Sequence, residues 1–411
     1  MRILFCISGI GSGHVSRCEP LLNSLIGGGH ECSAALTGFR AGRLLEGTCP
    51  VDVPPPGYRE RVAPPQGVQP PYLFIPDLDA VFSAYQRDAA DGLIATLSYF
   101  DGVIERTRPD LLVIDQVLGV GSLAASRGIP VVQVTHPPFL PDYGPWARWL
   151  DGADPRVRTT PVDRILETAF GAIGRPAPAV DTLIEGDATV VPGHPVFGTC
   201  RNALHLRPGN LPSPAVVTDR PSGSARVLVY LSFRAREIGE PVLRGVLAAG
   251  CRADVVDDSA YDLPEDLAAH PMLRKFGRIP IDNLLGETSA VIHGGGFGIA
   301  QEALAAGLPQ IMIPRNTEQE TTARAVESLG AGLHVPVSPR PMEPFEVSAD
   351  FHTLAHLSID SLGQRVATAL TSLIEGDYPS SAALQAGEEI QSLPLAGELI
   401  HQIEALLPSR S

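Results

Sequence analysis

The feature that most constrains the fold is the run from Ala290 to Gln310. Three apolar residues break into a histidine and three glycines, and apolar positions then resume at helical spacing. Residues 290–292 read as a buried parallel strand, and residues 297–306 as a helix stopped by Gly307 and followed by Pro309. Strand, glycine turn and helix in that order leave backbone N–H groups without intrahelical partners at the positive end of the helix dipole. Such an end attracts phosphate. Taken alone, the glycines fit equally a tight turn that needs positive φ. A second apolar strand over 310–313 leads to Pro314-Arg-Asn-Thr-Glu-Gln319. A helix carrying Thr322-Ala323 then closes at Gly330-Ala-Gly332.

The amino terminus repeats the theme. Residues 2–8 read as a strand, followed by Gly9-Ile-Gly-Ser-Gly-His14, a helix over about 18–26, Gly27-Gly-Gly29 and a strand over 32–36. This is the βαβ opening of a doubly wound sheet. It is not the dinucleotide fingerprint, because Leu36-Thr-Gly-Phe39 stands where an acidic residue is required. A helix is expected over about 78–106, a strand over 111–114 ending in Asp115, a helix around 120–126 and a strand within 128–134. Residues 50–76 and 137–145 are proline-broken loops. Residues 207–224, with four prolines and no periodicity, read as an interdomain linker. A second alternating unit starts at 226–231, with a strand near 253–256, and the segment 381–408 reads as helical. The expected fold class is therefore α/β, with two similar halves. The expected domains are 1–206, the linker 207–224, 225–380, and a helical tail over 381–411.

In a chain of 411 residues each half has room for its own core. The net charge of −15 and pI near 5.2 disfavour nucleic acid and anionic membrane as partners. Lys275 is the single lysine. The six cysteines are scattered without Cys-x-x-Cys, which argues for reduced thiols and against zinc. The first apolar run is too short for a signal peptide, and no run approaches a membrane span, so a cytoplasmic location is expected.

Two residues carry the pattern of proton transfer. His14 follows the first strand and Asp115 the strand 111–114, both at the strand ends where open α/β sheets place ligands. An imidazole suits base catalysis because its ordinary pKa of about 6.5 lies near working pH. A carboxylate can orient the ring and stabilise the imidazolium. Either residue also fits a cap or turn. Tyr72, Phe82, Phe139 and Trp146 lie in the variable part of the first half. They suit an apolar small molecule, or ordinary packing.

Together these segments resemble the nucleotide-sugar glycosyltransferases of the GT-B type, in particular their natural-product and antibiotic branch. The family's donor signature runs His-His-Gly-Gly-x-Gly-Thr, Glu-Ala-Leu, Gly-x-Pro and Pro-x-x-x-Asp-Gln. In register, His293 takes the first histidine, Gly295, Gly296 and Gly298 the glycines, Glu302 the helix glutamate, and Glu318-Gln319 the sugar-facing pair. Gly294 replaces the second histidine, Ile299 the phosphate-contacting threonine, and Arg17 a proline common three residues after the catalytic histidine. The resemblance implies two facing Rossmann-like domains with an interdomain cleft and a C-terminal helix crossing back. It implies His14 as base with Asp115 as helper. Donor contacts would come from Ser232, Ile279 (through its main chain), His293, Gly295, Gly296, Phe297, Gly298, Glu318 and Gln319. It further implies inverting transfer from a UDP- or dTDP-sugar to a small-molecule hydroxyl. No cofactor and no metal are expected, since no Asp-x-Asp site stands out, and a homodimer is a possible assembly. Gly-x-Gly-His-x-x-Arg also resembles sugar-nucleotide hydrolases and related GT-B proteins. A hydrolase or epimerase, or a non-catalytic nucleotide-sugar-binding partner, stays open as an alternative.

Overall fold

The computed structural model describes residues 1–9, 13–38, 45–55, 57–58, 89–136, 139–140, 162–209, 211–212, 225–231, 236–256, 263–277, 279, 281–315, 317–337, 361–376 and 378–405. These form two wholly parallel sheets. The first has seven strands: β1 (Arg2–Ile7), β2 (Glu31–Leu36), β3 (Val51–Asp52), β4 (Leu111–Asp115), β5 (Val131–Val134), β6 (Ala188–Pro192) and β7 (Ala203–Leu206), in the order β3-β2-β1-β4-β5-β6-β7. The second has six: β8 (Arg226–Tyr230), β9 (Arg252–Val256), β10 (Leu273–Phe276), β11 (Ala290–His293), β12 (Gln310–Met312) and β13 (Gly332–His334), in the order β10-β9-β8-β11-β12-β13. The α/β class with two halves is thus present, each sheet starting from a strand that continues outward on both sides.

Central strands read LLVID at β4 and AVIH at β11 and are buried throughout, as sheets covered on both faces require. In the first half α1 (Gly13–Gly27) covers one face. On the other, α2 (Ala89–Thr107), α3 (Val120–Ala125) and α4 (Val162–Ala172) bury Leu97, Phe100, Leu166 and Phe170 in one cluster. In the second half α5 (Arg236–Ala248) packs on α10 (Leu362–Glu375), joining Val242, Val246, Val366 and Leu370. Between them in sequence lie α6 (Glu265–Ala268), α7 (Asp282–Leu285), α8 (Phe297–Ala305) and α9 (Thr317–Ser328).

The expected single helical tail is two helices. Ser392 to Leu395, with Pro394 unable to continue the ladder, separates α11 (Tyr378–Gln391) from α12 (Ala396–Glu404). Their destinations differ. The first, α11, packs on α8 in the second half, while α12 packs on α1 and β7 in the first. Only the last helix crosses fully back. It buries Leu399 and Ile403 against Val15, Leu22 and Leu206, and Glu404 meets the His30 ring at 2.9 Å. The expected helix over 78–106 is described from Ala89 onward, and most of the expected linker lies outside the described residues.

Candidate functional site

The carboxyl ends of β1 and β4 are neighbours, because Ile7 pairs with Asp115 in register. Helix α1 begins just after β1, so His14 projects from its first turn toward the end of β4. His14 Nδ1 lies 2.7 Å from Asp115 Oδ1, joining residues about a hundred positions apart. The carboxyl is fully buried and the imidazole nearly so. Arg17, one turn along the same helix, grips both carboxylate oxygens, Nε to Oδ2 at 3.0 Å and Nη2 to Oδ1 at 2.8 Å. The Cys18 thiol lies 3.7 Å from Oδ2. Burial opposes the charged form of Asp115, but Arg17 and His14 outweigh it and hold the carboxyl far below the usual range. The ionised carboxylate fixes the proton of His14 on Nδ1, which leaves the Nε2 lone pair for a substrate proton. The turn 10–12 before His14 lies outside the described residues.

A second histidine joins the site, one whose loop position beside Pro137 marks it in the sequence as structural or acceptor-side at best. His136 follows β5 and is buried. Its Nδ1 accepts from Gln116 Nε2 at 3.1 Å, and its Nε2 donates to Glu318 Oε1 at 2.7 Å. Burial and the charge of Arg17 together outweigh Glu318 and keep this ring below the usual histidine range. Glu318 belongs to the first turn of α9 in the second half. Its carboxyl is held below its usual range against burial by His136, Arg17 and His14. The two halves therefore bring His14, Arg17, Asp115, His136 and Glu318 within electrostatic reach of one another.

The glycine turn joins β11 to α8. Gly295 adopts φ +82°, and a Cβ there would lie 2.5 Å from the Gln319 carbonyl oxygen, so only glycine fits. Gly296 is the N-cap of α8 and offers no side chain to its N–H groups, which leaves the positive helix end uncapped by side chains. Gly298 is exposed, with open space where a Cβ would be. The direct phosphate contact expected of His293 is corrected by the geometry. The ring is fully buried, Nδ1 accepts from Gly295 N at 3.0 Å, and Nε2 donates to Gln310 Oε1 at 2.7 Å. Both nitrogens are used inside the protein, and burial pulls the pKa down to about 4. His293 fixes the turn and does not face the cleft.

Two neighbours of the turn are likewise turned inward. Ile299, at the family's threonine position, packs with Leu228, Leu285 and Val291. Phe297, expected among the donor contacts, turns its side chain inward. That ring is buried edge-on against Phe197 at 5.2 Å and lies 5.0 Å from the His136 ring. What remains at 297 is its backbone N–H. Gln319 Oε1 accepts from the Arg315 N–H at 2.8 Å. Ile279 is half-buried against the same apolar cluster as Ile299. Phe139 stands 6.0 Å from the His136 ring, on the first half's side of the site. Ser232, Tyr72, Phe82 and Trp146 lie outside the described residues.

Gln301 of α8 reaches into the first half, donating to the Pro192 carbonyl at 3.0 Å and accepting from His194 N at 3.1 Å. His194 in turn meets Glu389 of α11 at 2.6 Å. Among the described residues no three His, Cys, Asp or Glu side chains gather to hold a metal ion, and no helix is long and apolar enough to cross a membrane.

Residues 252–350 match the family described as erythromycin biosynthesis protein CIII-like, C-terminal domain. The chain is 26% identical to the elloramycin glycosyltransferase ElmGT of Streptomyces olivaceus, over 97% of this chain and 96% of that one. Among solved structures it resembles the glycosyltransferase VinC in complex with dTDP, at 19% identity, TM-score 0.67 and 99% coverage of both chains. It also resembles the spinosyn rhamnosyltransferase SpnG complexed with spinosyn aglycone, at 19% identity and TM-score 0.61, over 98% of this chain and all of the other. The likeness to these structures establishes the shared two-domain fold.

Proposed function

We propose, for a chain that belongs to the GT-B glycosyltransferases of the natural-product branch, an inverting transfer of a sugar from a nucleoside diphosphate to a hydroxyl of a small-molecule acceptor. The observation that carries the reading is the pairing of the His14 ring with buried Asp115 at the mouth of the first sheet, within charge reach of Glu318 at the mouth of the second. Nε2 of His14 takes the acceptor's hydroxyl proton as that oxygen attacks the anomeric carbon. The bond from that carbon to the diphosphate oxygen breaks, and displacement from the opposite face inverts the centre. The departing diphosphate gathers negative charge, which the uncapped start of α8 is placed to receive through backbone N–H groups. Glu318 and Gln319 fit sugar hydroxyls, and Ile279 and Ser232 fit the nucleotide side.

In this reading the acceptor binds on the half spanning 1–206 and the donor on 225–380. Phe139, beside the His136 ring, fits the acceptor side, with Tyr72, Phe82 and Trp146 as further candidates. The leaving group's charge is met by protein groups, with no cofactor. Support comes from relatives named as antibiotic glycosyltransferases, from neighbours bound to dTDP or to an aglycone, and from the geometry of the dyad.

The test is a screen of UDP- and dTDP-sugars with and without an acceptor panel, read by mass spectrometry and by the anomeric configuration of the product. A glycoside of inverted configuration is expected. Free sugar or an epimer formed at catalytic rates from donor alone would replace the reading with a hydrolase or epimerase, and donor binding without any turnover with a partner protein.

A further inference from the structure

Arg17 is the charged member of the buried cluster around Asp115 that transfer chemistry leaves without a task. Its side chain is mostly buried, and it stands where the resembled family often has a proline incapable of any such contact. We propose that Arg17 is a positioning residue: by neutralising Asp115 it lets that carboxylate orient His14 while opposing protonation of the same ring. The proposal rests on the reading of His14 as the base.

The argument begins with a triangle. His14 Nδ1, Asp115 Oδ1 and Arg17 Nη2 lie 2.7 to 2.8 Å from one another. One proton arrangement satisfies the carboxylate and both of its donors. If an Arg17 N–H pointed at a lone pair on Nδ1, that lone pair would face an ionised carboxylate oxygen at 2.7 Å with no hydrogen between them. With the proton on Nδ1, the ring donates to Oδ1 and the guanidinium gives its own hydrogens to Oδ1 and Oδ2. Arg17 Nη2 then stands beside the imidazole as a bare positive neighbour. A buried carboxylate without a fixed cation is costly, and a neutral imidazole supplies none, so Arg17 is what keeps Asp115 ionised.

Two opposed fields therefore act on His14. Asp115 from β4 favours the imidazolium and Arg17 from its own helix disfavours it. The other groups facing this cluster are Glu318 from α9, the Cys18 thiol on α1, and His136 after β5. Glu318 is the second anion. Removing Asp115 alone leaves only Glu318 to oppose the guanidinium next to the base, so the harm has two sources, lost orientation and a poorly compensated positive charge. Removing both residues eliminates the second.

The experiment is a double-mutant cycle of Asp115→Asn, Arg17→Met and the pair, with kcat/KM followed against pH. The pair is expected to turn over about tenfold faster than Asp115→Asn alone, a coupling within the range seen for residues in one ionic network. In Arg17→Met the acid side of the pH profile moves to higher pH. Arg17→Met leaves Asp115 unpaired and is prone to misfold, so Arg17→Lys serves as the folding-safe companion, expected to keep the wild-type profile. Ring-proton NMR of His14 in the same variants reads the effect without substrate. A titration midpoint in the pair above that in Asp115→Asn sustains the proposal, even where transfer itself fails and the base assignment falls. Additive losses together with equal midpoints overturn it.

Discussion

His136 Nε2 and Glu318 Oε1 stand 2.7 Å apart, one from the loop after β5 and the other from the first turn of α9, so this hydrogen bond joins the mouth of one sheet to the mouth of the other. Gln116, which donates to the far side of the ring, sits at φ +49°, a left-handed conformation unusual for a side chain of that size. His136→Phe keeps the ring against Phe297 and deletes the bond. A hydrogen bond to a charged group contributes about 1.5–3 kcal/mol, so kcat/KM for the donor is expected to fall about tenfold to a hundredfold. Steady-state kinetics with donor varied at fixed acceptor measure this. An unchanged value would mean that Glu318 needs no support from the first half.

His14→Ala removes the base and leaves the glycine turn intact. Turnover is expected to drop by about 10²–10⁴, the usual contribution of a positioned base, while donor affinity stays within a few-fold. Single-turnover rates paired with calorimetry on the nucleoside diphosphate separate the two quantities. Near-normal turnover would rule out the assignment.

The two glycines flanking the turn respond differently to the same methyl group. Gly295→Ala meets the Gln319 carbonyl at 2.5 Å in a positive-φ conformation, so it is expected to cost about 1–3 kcal/mol and to weaken donor binding. Gly298→Ala enters open space within a helix and is expected to be neutral or mildly stabilising. Thermal unfolding of both variants, with and without nucleoside diphosphate, checks the contrast, and equal effects would contradict the geometry of the turn.

His293 makes stability depend on pH. Its folded pKa is pulled from the usual histidine value to about 4, so between about 4 and 6.5 the unfolded chain binds the extra proton. The contribution is fully present above about pH 6.5 and is lost as pH falls through that window. It amounts to about 3 kcal/mol at most, taking 1.36 kcal/mol per unit. Urea midpoints of the wild type and His293→Gln at pH 7 and 4.5 should converge at the lower pH. A gap that stays constant assigns the pH dependence elsewhere.

The sheet centres were legible from sequence because β1, β4, β8 and β11 are unbroken apolar runs, each closing at a turn or a polar residue. The edges were not. Strand β3 is two residues long and β7 is half-exposed, so neither carries a periodic signal. His14 and Asp115 were found because a parallel sheet collects its strand ends, whatever their separation in the chain. The orientation of His293 was hidden because it depends on Gln310, one strand further on, and on the backbone N–H of Gly295. His136 was undervalued for a similar reason, since its partner Glu318 lies 182 residues away. The rule that ligands gather at carboxyl ends of strands already pointed to the residues just after β5.

Helix α8 is sewn into the opposite half at two heights, by Phe297 between Phe197 and His136 at its start and by Gln301 on the backbone of 192 and 194 one turn later. Its starting turn is also the proposed cradle for diphosphate. Any swing that parts the halves must drag the cradle away from one set of these attachments. Occupancy of the donor pocket and the breathing of the seam thus share one mechanical element, and ligand should be felt as resistance to opening far from where it sits.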